Sequence, residues 1–166
     1  MSLKKLPKDI TVFVDANIFV YALRETDDLK QECTAFFEQV LHGRFKAVTS
    51  VNVATEVIHR FMMQEAAEKL EFYGGKLVQH LKENPEFVKS LTRHRQIASA
   101  IYKLGVSIEP ITYVEVHGSR VIRTNYGLMA NDSLIIAFMQ KHKISHLATN
   151  DGDFKRIPDI KVWLPR

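Results

Sequence analysis

Short runs of apolar and β-branched residues alternate with longer segments of helical spacing along this 166-residue chain. The runs are four to six residues long and cover residues 10–14, 46–50, 106–111, 145–148 and 160–164. Such runs are typical of buried strands, and strands that alternate with helices build a parallel sheet covered by helices on both faces. The pattern therefore predicts an α/β protein with three layers, α/β/α, around a mainly parallel sheet of four to five strands.

Acidic residues lie beside these runs. Asp15 directly follows the first run, and Asp151 and Asp153 directly follow the fourth. Glu56 lies within two turns of the start of the helix after the second run, and Asp132 lies near the start of the helix before the fourth. No lysine or arginine lies within four positions of Asp15 or Asp132. Because a buried carboxylate is costly without a compensating cation, the pattern indicates a shared divalent metal.

The sheet order predicts that these acids meet. Ligands of open parallel sheets bind outside the carboxyl ends of the strands, and carboxylate oxygens suit Mg²⁺ and Mn²⁺. Each acid also has a simpler interpretation, as a helix cap for Asp15, a solvated helix residue for Glu56, a helix-dipole charge for Asp132 and a turn for Asp151 and Asp153. These interpretations would all have to hold together, so the metal site is favoured.

Composition limits the location and the partners. The formal charge is +4, from 23 Lys and Arg against 19 Asp and Glu, and this balance suits an anionic partner such as RNA, although a solvated basic surface is the alternative. The lone Cys33 excludes an intramolecular disulfide and a cysteine-based metal site. The longest apolar stretch, residues 134–139, is too short to cross a bilayer, and Asp9 and Asp15 interrupt any signal-peptide core. We therefore expect a cytoplasmic protein with no membrane partner.

Basic side chains fall into three groups that could hold an RNA backbone, with a solvated surface as the alternative. The groups are Lys89, Arg93, His94 and Arg95; Arg120 and Arg123; and Lys141, His142, Lys143, Lys155 and Arg156. Tyr102, Tyr113 and Tyr126 are candidates for stacking on unpaired bases, although packing within the protein is the more common role.

Four motifs in order resemble those of the PIN-domain ribonucleases, and especially of the VapC-type toxins. They are Val14-Asp15-Ala16-Asn17-Ile18, the Glu56 helix after Thr49-Ser50, the helix start at Asn131-Asp132, and the run from Leu147 to Phe154 that contains Asp151 and Asp153. The resemblance extends from Ile10 to about Ile160. Each motif alone is weakly specific, whereas four in order at compatible spacing are fairly specific.

The resemblance implies a Mg²⁺- or Mn²⁺-dependent endoribonuclease, plausibly the toxin of a type II toxin–antitoxin pair, that acts on RNA such as tRNA or rRNA. It implies Asp15, Glu56, Asp132 and Asp151 as the acidic set, with Asp153 able to replace or supplement Asp151 as a metal ligand. Asn17 and Thr149 match polar positions that support the acids. A cognate antitoxin and a second copy of the chain are the implied partners.

Two other functional classes fit parts of the pattern. A haloacid-dehalogenase-like phosphatase also places an aspartate after its first strand, but it expects another aspartate two positions later, where this chain has Asn17. A non-catalytic RNA-binding domain is the other alternative, and it is disfavoured because every acidic position is intact.

Residues 64–104 form a polar helical excursion, so the whole chain, residues 1–166, is expected to be a single PIN-like domain with one long insertion. Breaks are predicted at Gly74-Gly75 and at Asn84-Pro85. The cluster Ile58, Phe61, Met62 and Met63 exceeds what one helix face needs for a core, and this predicts a partner groove.

Overall fold

The computed structural model describes residues 1–166 and contains five strands and eight α-helices. The strands are β1 (Thr11–Val14), β2 (Lys46–Ser50), β3 (Val106–Glu109), β4 (His146–Ala148) and β5 (Lys161–Trp163). The helices are α1 (Ala16–Leu23), α2 (Lys30–Leu41), α3 (Val51–Leu70), α4 (Gly74–Glu83), α5 (Pro85–Ser90), α6 (Ile97–Lys103), α7 (Tyr113–Tyr126) and α8 (Ala130–Lys141). None of the helices combines the length and apolar character that a membrane span requires.

The strands form one sheet in the order β3-β2-β1-β4-β5, and every neighbouring pair is parallel. The chain winds outward from β1 through β2 to β3, and then returns to the other side of β1 for β4 and β5. This reversal places the topological switch point between β1 and β4, where Val14 pairs with Ala148. The predicted α/β fold is confirmed, and the sheet is parallel throughout.

Helices cover both faces of the sheet because the winding direction reverses at the switch point. Helices α1, α2, α3 and α6 contact one another, whereas α7 packs against α8. Aromatic pairs join these layers to the sheet and to each other. Phe13 of β1 contacts Phe138 of α8 at a ring distance of 5.4 Å, and Phe19 of α1 stacks on Phe37 of α2 at 5.3 Å. The three-layer arrangement fixes where each strand end emerges.

The helical excursion has a small core of its own. Ala66, Leu77 and Leu91 form a buried cluster separate from the main core, and Met62 and Met63 pack against it. Phe61 belongs instead to the main core, and Ile58 packs against that core. All four residues therefore pack against one of the chain's own two cores, and Met63 also lines an open cleft, so the partner groove stays a prediction.

The breaks in the excursion differ slightly from the prediction. Helix α3 ends at Leu70, where Glu71 adopts a left-handed conformation with φ of +53°. Gly74, at φ of +61°, then begins α4 rather than ending a helix. Pro85 occupies the first turn of α5 as expected, since its missing N–H is not needed there. The result is a three-residue connection, residues 71–73, that stands between α3 and α4.

Candidate active site

Asp15 lies at the junction of β1 and α1, on the carboxyl edge of the sheet. Its side chain caps α1, with Oδ1 accepting a hydrogen bond from the backbone N of Ala16 at 2.6 Å. Its Oδ2 accepts from Asn17 Nδ2 and from Thr149 Oγ1, each at 2.6 Å. Only 8% of the residue is exposed. Burial raises the pKa of Asp15, while the hydrogen bonds from Thr149 and Ala16 act in the opposite direction.

Thr149 connects this aspartate to the end of β4. Its hydroxyl donates to Asp15 and accepts hydrogen bonds from Asn17 Nδ2 and from the backbone N of Asp151, each at 3.0 Å. Asn17 closes the network, because its Oδ1 accepts from the backbone N of Asn150 at 2.9 Å. The two predicted supporting residues therefore hold the β1 and β4 edges together and orient the carboxylate.

Asp132 lies in the first turn of α8 and is half-buried. Its pKa is raised to about 6. Burial is the largest cause, and the nearby negative charges of four carboxylates add to it: Asp151, Asp15, Glu56 and Asp153. The fold therefore brings the other four predicted acids within electrostatic range of Asp132, although the five come from four separate segments of the chain.

Asp151 and Asp153 differ in their surroundings. Asp151 is half-buried, and its Oδ1 accepts a hydrogen bond from the backbone N of Asp153 at 2.8 Å. The carboxylate of Asp153 is exposed and is bound by the guanidinium of Arg156. Asp151 also acts more strongly than Asp153 on the pKa of Asp132. Asp151 is thus the member of the pair that is linked to the inner network.

Glu56 reaches the site from α3 together with a cation. Arg60, one turn later, donates from Nε at 3.0 Å and from Nη2 at 2.6 Å to the same oxygen, Oε1 of Glu56. This arrangement leaves Oε2 of Glu56 without a hydrogen-bond partner within the chain. Arg60 also lies close enough to act on Asp15, whose pKa its positive charge lowers.

The donor set suits a hard divalent cation. No three Asp, Glu, His or Cys side chains form a ready-made metal cluster. Mg²⁺, however, usually keeps several waters and uses only one or two carboxylates directly, so it does not require such a cluster. Burial is the largest cause of the raised pKa values of Asp15 and Asp132, and neither carboxylate forms an ion pair within the chain. A bound cation would favour their charged forms.

The first basic group is largely engaged within the protein. Arg93 pairs with Glu68 and Lys89 pairs with Glu86, while the guanidinium of Arg95 donates to the backbone. In the third group, Lys141 pairs with the buried Glu115 at 2.9 Å and Arg156 with Asp153. Most of these side chains therefore have a structural partner.

Two residues of the network, Arg60 and Asn150, were not predicted as site residues. The spacing of four between Glu56 and Arg60 is a signal for a helical ion pair and could have identified Arg60. Asn150 acts through its backbone N–H to Asn17 and through its amide to the hydroxyl of Tyr21 at 3.1 Å. No short-range sequence signal identifies a contact between residues that lie so far apart along the chain.

Comparison with known proteins assigns this arrangement to a family. The family model described as the PIN domain matches residues 12–160. Ribonuclease VapC13 of Mycobacterium tuberculosis is 26% identical over 151 residues, which cover 90% of this chain and 97% of the relative.

Solved structures have a similar fold. VapC20 of Mycobacterium tuberculosis, described as a toxin that cleaves the sarcin–ricin loop, superposes with a TM-score of 0.58 at 16% identity, over 89% of this chain and 95% of that one. A toxin–antitoxin complex from Klebsiella pneumoniae has a chain with a TM-score of 0.57 at 18% identity, over 93% of this chain and 98% of that one. The domain match spans all five acids and every strand from β1 to β4, and the chain belongs to the PIN-domain family.

Proposed function

We propose that this protein is a metal-dependent endoribonuclease that hydrolyses phosphodiester bonds in RNA. The observation that carries the proposal is the convergence of acids from four separate segments on the carboxyl edge of the sheet, where Thr149 joins Asp15 to Asp151 and Asp132 lies nearby. Such accumulation of like charge is unfavourable unless a cation joins it, and perturbed acids in one place are typical of functional sites. The family membership supports phosphodiester hydrolysis as the reaction.

The residues take different roles in this proposal. A bound Mg²⁺ or Mn²⁺ would neutralise phosphate charge and lower the pKa of an attacking water. Asp15 and Asp132 would be its central ligands, with Asp15 held in one orientation by Asn17 and Thr149. Asp151 would act as a further ligand, directly or through water.

Glu56 would orient the attacking water. Its Oε1 is bound to Arg60, whereas Oε2 is free to accept a proton or a hydrogen bond. We assign Asp153 an outer role, because its carboxylate is exposed and already bound by Arg156.

The biological setting is part of the same proposal. VapC13 bears the name ribonuclease, and the Klebsiella pneumoniae structure is a toxin–antitoxin complex. By analogy we propose that this chain is the toxin of a type II pair, with tRNA or rRNA as substrate in the cytoplasm and a cognate antitoxin as partner.

We also propose a homodimer, since α7 exposes the apolar side chains of Val114, Val116 and Val121. Light scattering of the purified protein should give twice the chain mass, and a monomer would contradict the dimer.

The alternatives are not favoured. A dehalogenase-like phosphatase needs an acid two positions after Asp15, but Asn17 stands there and its amide donates to Asp15. A non-catalytic RNA-binding domain gives no reason for the convergence of five acids.

Cleavage of tRNA and rRNA in Mg²⁺, Mn²⁺ or EDTA tests the proposal. We expect cleavage by the wild-type protein with either metal, no cleavage in EDTA, and no cleavage by Asp15→Asn. Asp151→Asn and Asp153→Asn form a matched pair, and the first should lose more activity than the second. Cleavage that persists in EDTA, or hydrolysis of a small phosphomonoester in place of RNA, would contradict the proposal.

A further inference from the structure

A cleft of about 460 Å³ opens beside the acidic site, between α3 and the start of α4. Its walls come from α3, from the C-terminal cap of α1 and from the connection that leads into α4. Residues of the helical excursion, from Gln64 to Leu77, therefore supply one wall. The main-core helices supply the others.

Basic side chains line the cleft. Arg24, His59 and Arg60 belong to its lining, which contains no acidic residue. Gln64 holds Arg24 in place, since Oε1 of Gln64 accepts from Nε of Arg24 at 2.8 Å.

Both arginines also pair with carboxylates outside the lining, Arg24 with Asp27 at 3.8 Å and Arg60 with Glu56 at 2.6 Å. Each guanidinium still has one terminal nitrogen without a partner in the chain, Nη2 of Arg24 and Nη1 of Arg60. These two nitrogens can donate to a phosphate.

Arg60 joins the cleft to the acidic site. Its Nε and Nη2 bind Glu56, and the same side chain lines the cleft. An RNA strand that runs from the acidic site into the cleft would therefore pass Arg60 at the boundary.

Tyr73 gives the cleft an aromatic wall. It is 73% exposed, in the connection between α3 and α4, and its side chain makes no hydrogen bond. Met63 and Leu77 lie in the same lining and provide an apolar surface next to the ring. An exposed aromatic ring beside arginines is the combination on which unpaired bases stack while their phosphates are bound.

We propose that this cleft is a subsite for one nucleotide of single-stranded RNA adjacent to the cleaved bond, with its phosphate bound by Arg24 and Arg60 and its base stacked on Tyr73. The inference rests on the proposed nuclease function and adds the residues that hold one unpaired nucleotide beside the cleaved bond.

Binding of a short fluorescent single-stranded RNA to the inactive Asp132→Asn protein, in Mg²⁺, tests the subsite. Adding Tyr73→Ala should weaken binding about tenfold, whereas Tyr73→Phe should bind like the parent, because stacking needs the ring and not the hydroxyl. Tyr102→Ala is the matched control, since Tyr102 is 77% exposed but does not line the cleft. Equal binding by the Tyr73→Ala and Tyr102→Ala proteins would overturn the subsite.

An RNA series with a single abasic nucleotide at successive positions gives a sharper test. At one position the abasic nucleotide should weaken binding to the Tyr73 protein and have no further effect on the Tyr73→Ala protein. If no position shows this coupling, the stacking assignment is wrong. Arg24→Gln should also reduce the slope of log affinity against log salt by roughly 0.7, the value for one phosphate contact on a single strand, whereas Lys103→Gln should leave it unchanged.

Cleavage kinetics in the otherwise wild-type background separate the two proposals. Tyr73→Ala should raise KM with little change in kcat, because the ring binds the substrate at a distance from the reacting atoms. Wild-type cleavage with identical KM for the Tyr73→Ala and Tyr102→Ala proteins would remove the subsite and leave the nuclease intact. Failure of the wild-type protein to cleave any RNA would remove the nuclease proposal itself.

Discussion

The acidic site and the helical excursion each bury a carboxylate, but the pKa values of the two carboxylates are shifted in opposite directions. Glu65 in the excursion is 2% exposed. Burial alone would raise its pKa, but hydrogen bonds from Lys69 and from the backbone N–H groups of Arg93 and Thr92 lower it to about 2. Asp15, at 8% exposure, has a raised pKa. The difference lies in the partners, because Glu65 forms an ion pair with Lys69, whereas Asp15 accepts hydrogen bonds from neutral groups and forms no ion pair.

Glu115 repeats the first pattern. Burial works to raise its pKa, yet Thr112 and Lys141 lower it to about 2. Glu65 and Glu115 each bind a lysine and the start of a helical segment, so their charge is fully used in holding elements together. Asp15 and Asp132 form no ion pair within the chain, and we propose that a metal ion takes that place. The comparison therefore distinguishes acids whose charge is compensated by a lysine of the chain from acids whose charge is not.

Removal of an acid from the sheet edge should have its largest effect on catalysis. Asp132→Asn removes a half-buried charge from the acidic site and should lower RNA cleavage by about 100-fold or more, because a central metal ligand is lost. The metal-free protein should at the same time become slightly more stable, since the removed charge is repelled by its neighbours. Cleavage assays and thermal melts in EDTA measure the two effects. A variant that is inactive only because it is unfolded would contradict this account.

Glu65→Gln tests the structural class. The substitution leaves Lys69 and two backbone N–H groups without their carboxylate, and we expect a loss of about 2 kcal/mol of unfolding free energy. We propose that residues 1–166 form one domain, so the chain should still unfold in a single transition. Cleavage below the melting temperature should stay near the wild-type rate. Two separate transitions in denaturant would show that the excursion is an independent unit.

Metal addition should distinguish the two classes of acid. Mg²⁺ or Mn²⁺ should raise the melting temperature of the wild-type protein by about 3–6 °C at millimolar concentration, as expected for a ligand that binds only the folded state. Glu65→Gln should keep this increment because its acid is outside the site. Asp15→Asn should lose most of it, and an equal increment in all three proteins would mean that the metal binds elsewhere.

The smallest expected effect is a pH dependence with two opposite limbs. The folded pKa of Asp132, about 6, lies above its ordinary value of 3.8, so the folded state binds more protons and metal-free stability should rise as pH falls from about 6 to 4. The pKa values of Glu65 and Glu115 are lowered to about 2, so their contribution is present above pH 4.5 and is lost as pH falls toward 2. Thermal melts in EDTA should show both limbs as opposite slopes of stability against pH. Asp132→Asn should weaken only the upper limb, to which the raised pKa of Asp15 also contributes, and Glu65→Gln should weaken only the lower one.

The sequence predicted the sheet and the acids because both follow from short-range patterns. Runs such as residues 10–14 show their burial directly, and the end of a parallel strand determines on which edge Asp15 lies. Asp151 and Asp153 were not separable by sequence, since the difference depends on Arg156 and on the Thr149 network.

Long-range packing explains what the sequence did not reveal. Met62 and Met63 resembled an exposed groove because nothing local indicates that α4 and α5 fold back over them. Nothing near Glu65 in the sequence indicates that it is buried, since its partners at Thr92 and Arg93 lie 27 and 28 positions away. Tyr102 and Tyr113 were candidates for base stacking, but Tyr73 is the tyrosine that lines the cleft between α3 and the start of α4.

Titration of the Asp132 side-chain carboxyl by ¹³C NMR, with and without Mg²⁺, tests the central claim most directly. Without metal we expect a pKa of about 6 for Asp132, because burial and four neighbouring carboxylates oppose its ionisation. Saturating Mg²⁺ should lower that pKa strongly in the wild-type protein and have little effect in Asp15→Asn. An Asp132 carboxyl that titrates near the ordinary value of 3.8 and does not respond to Mg²⁺ would contradict the claim that these acids form one metal-dependent site.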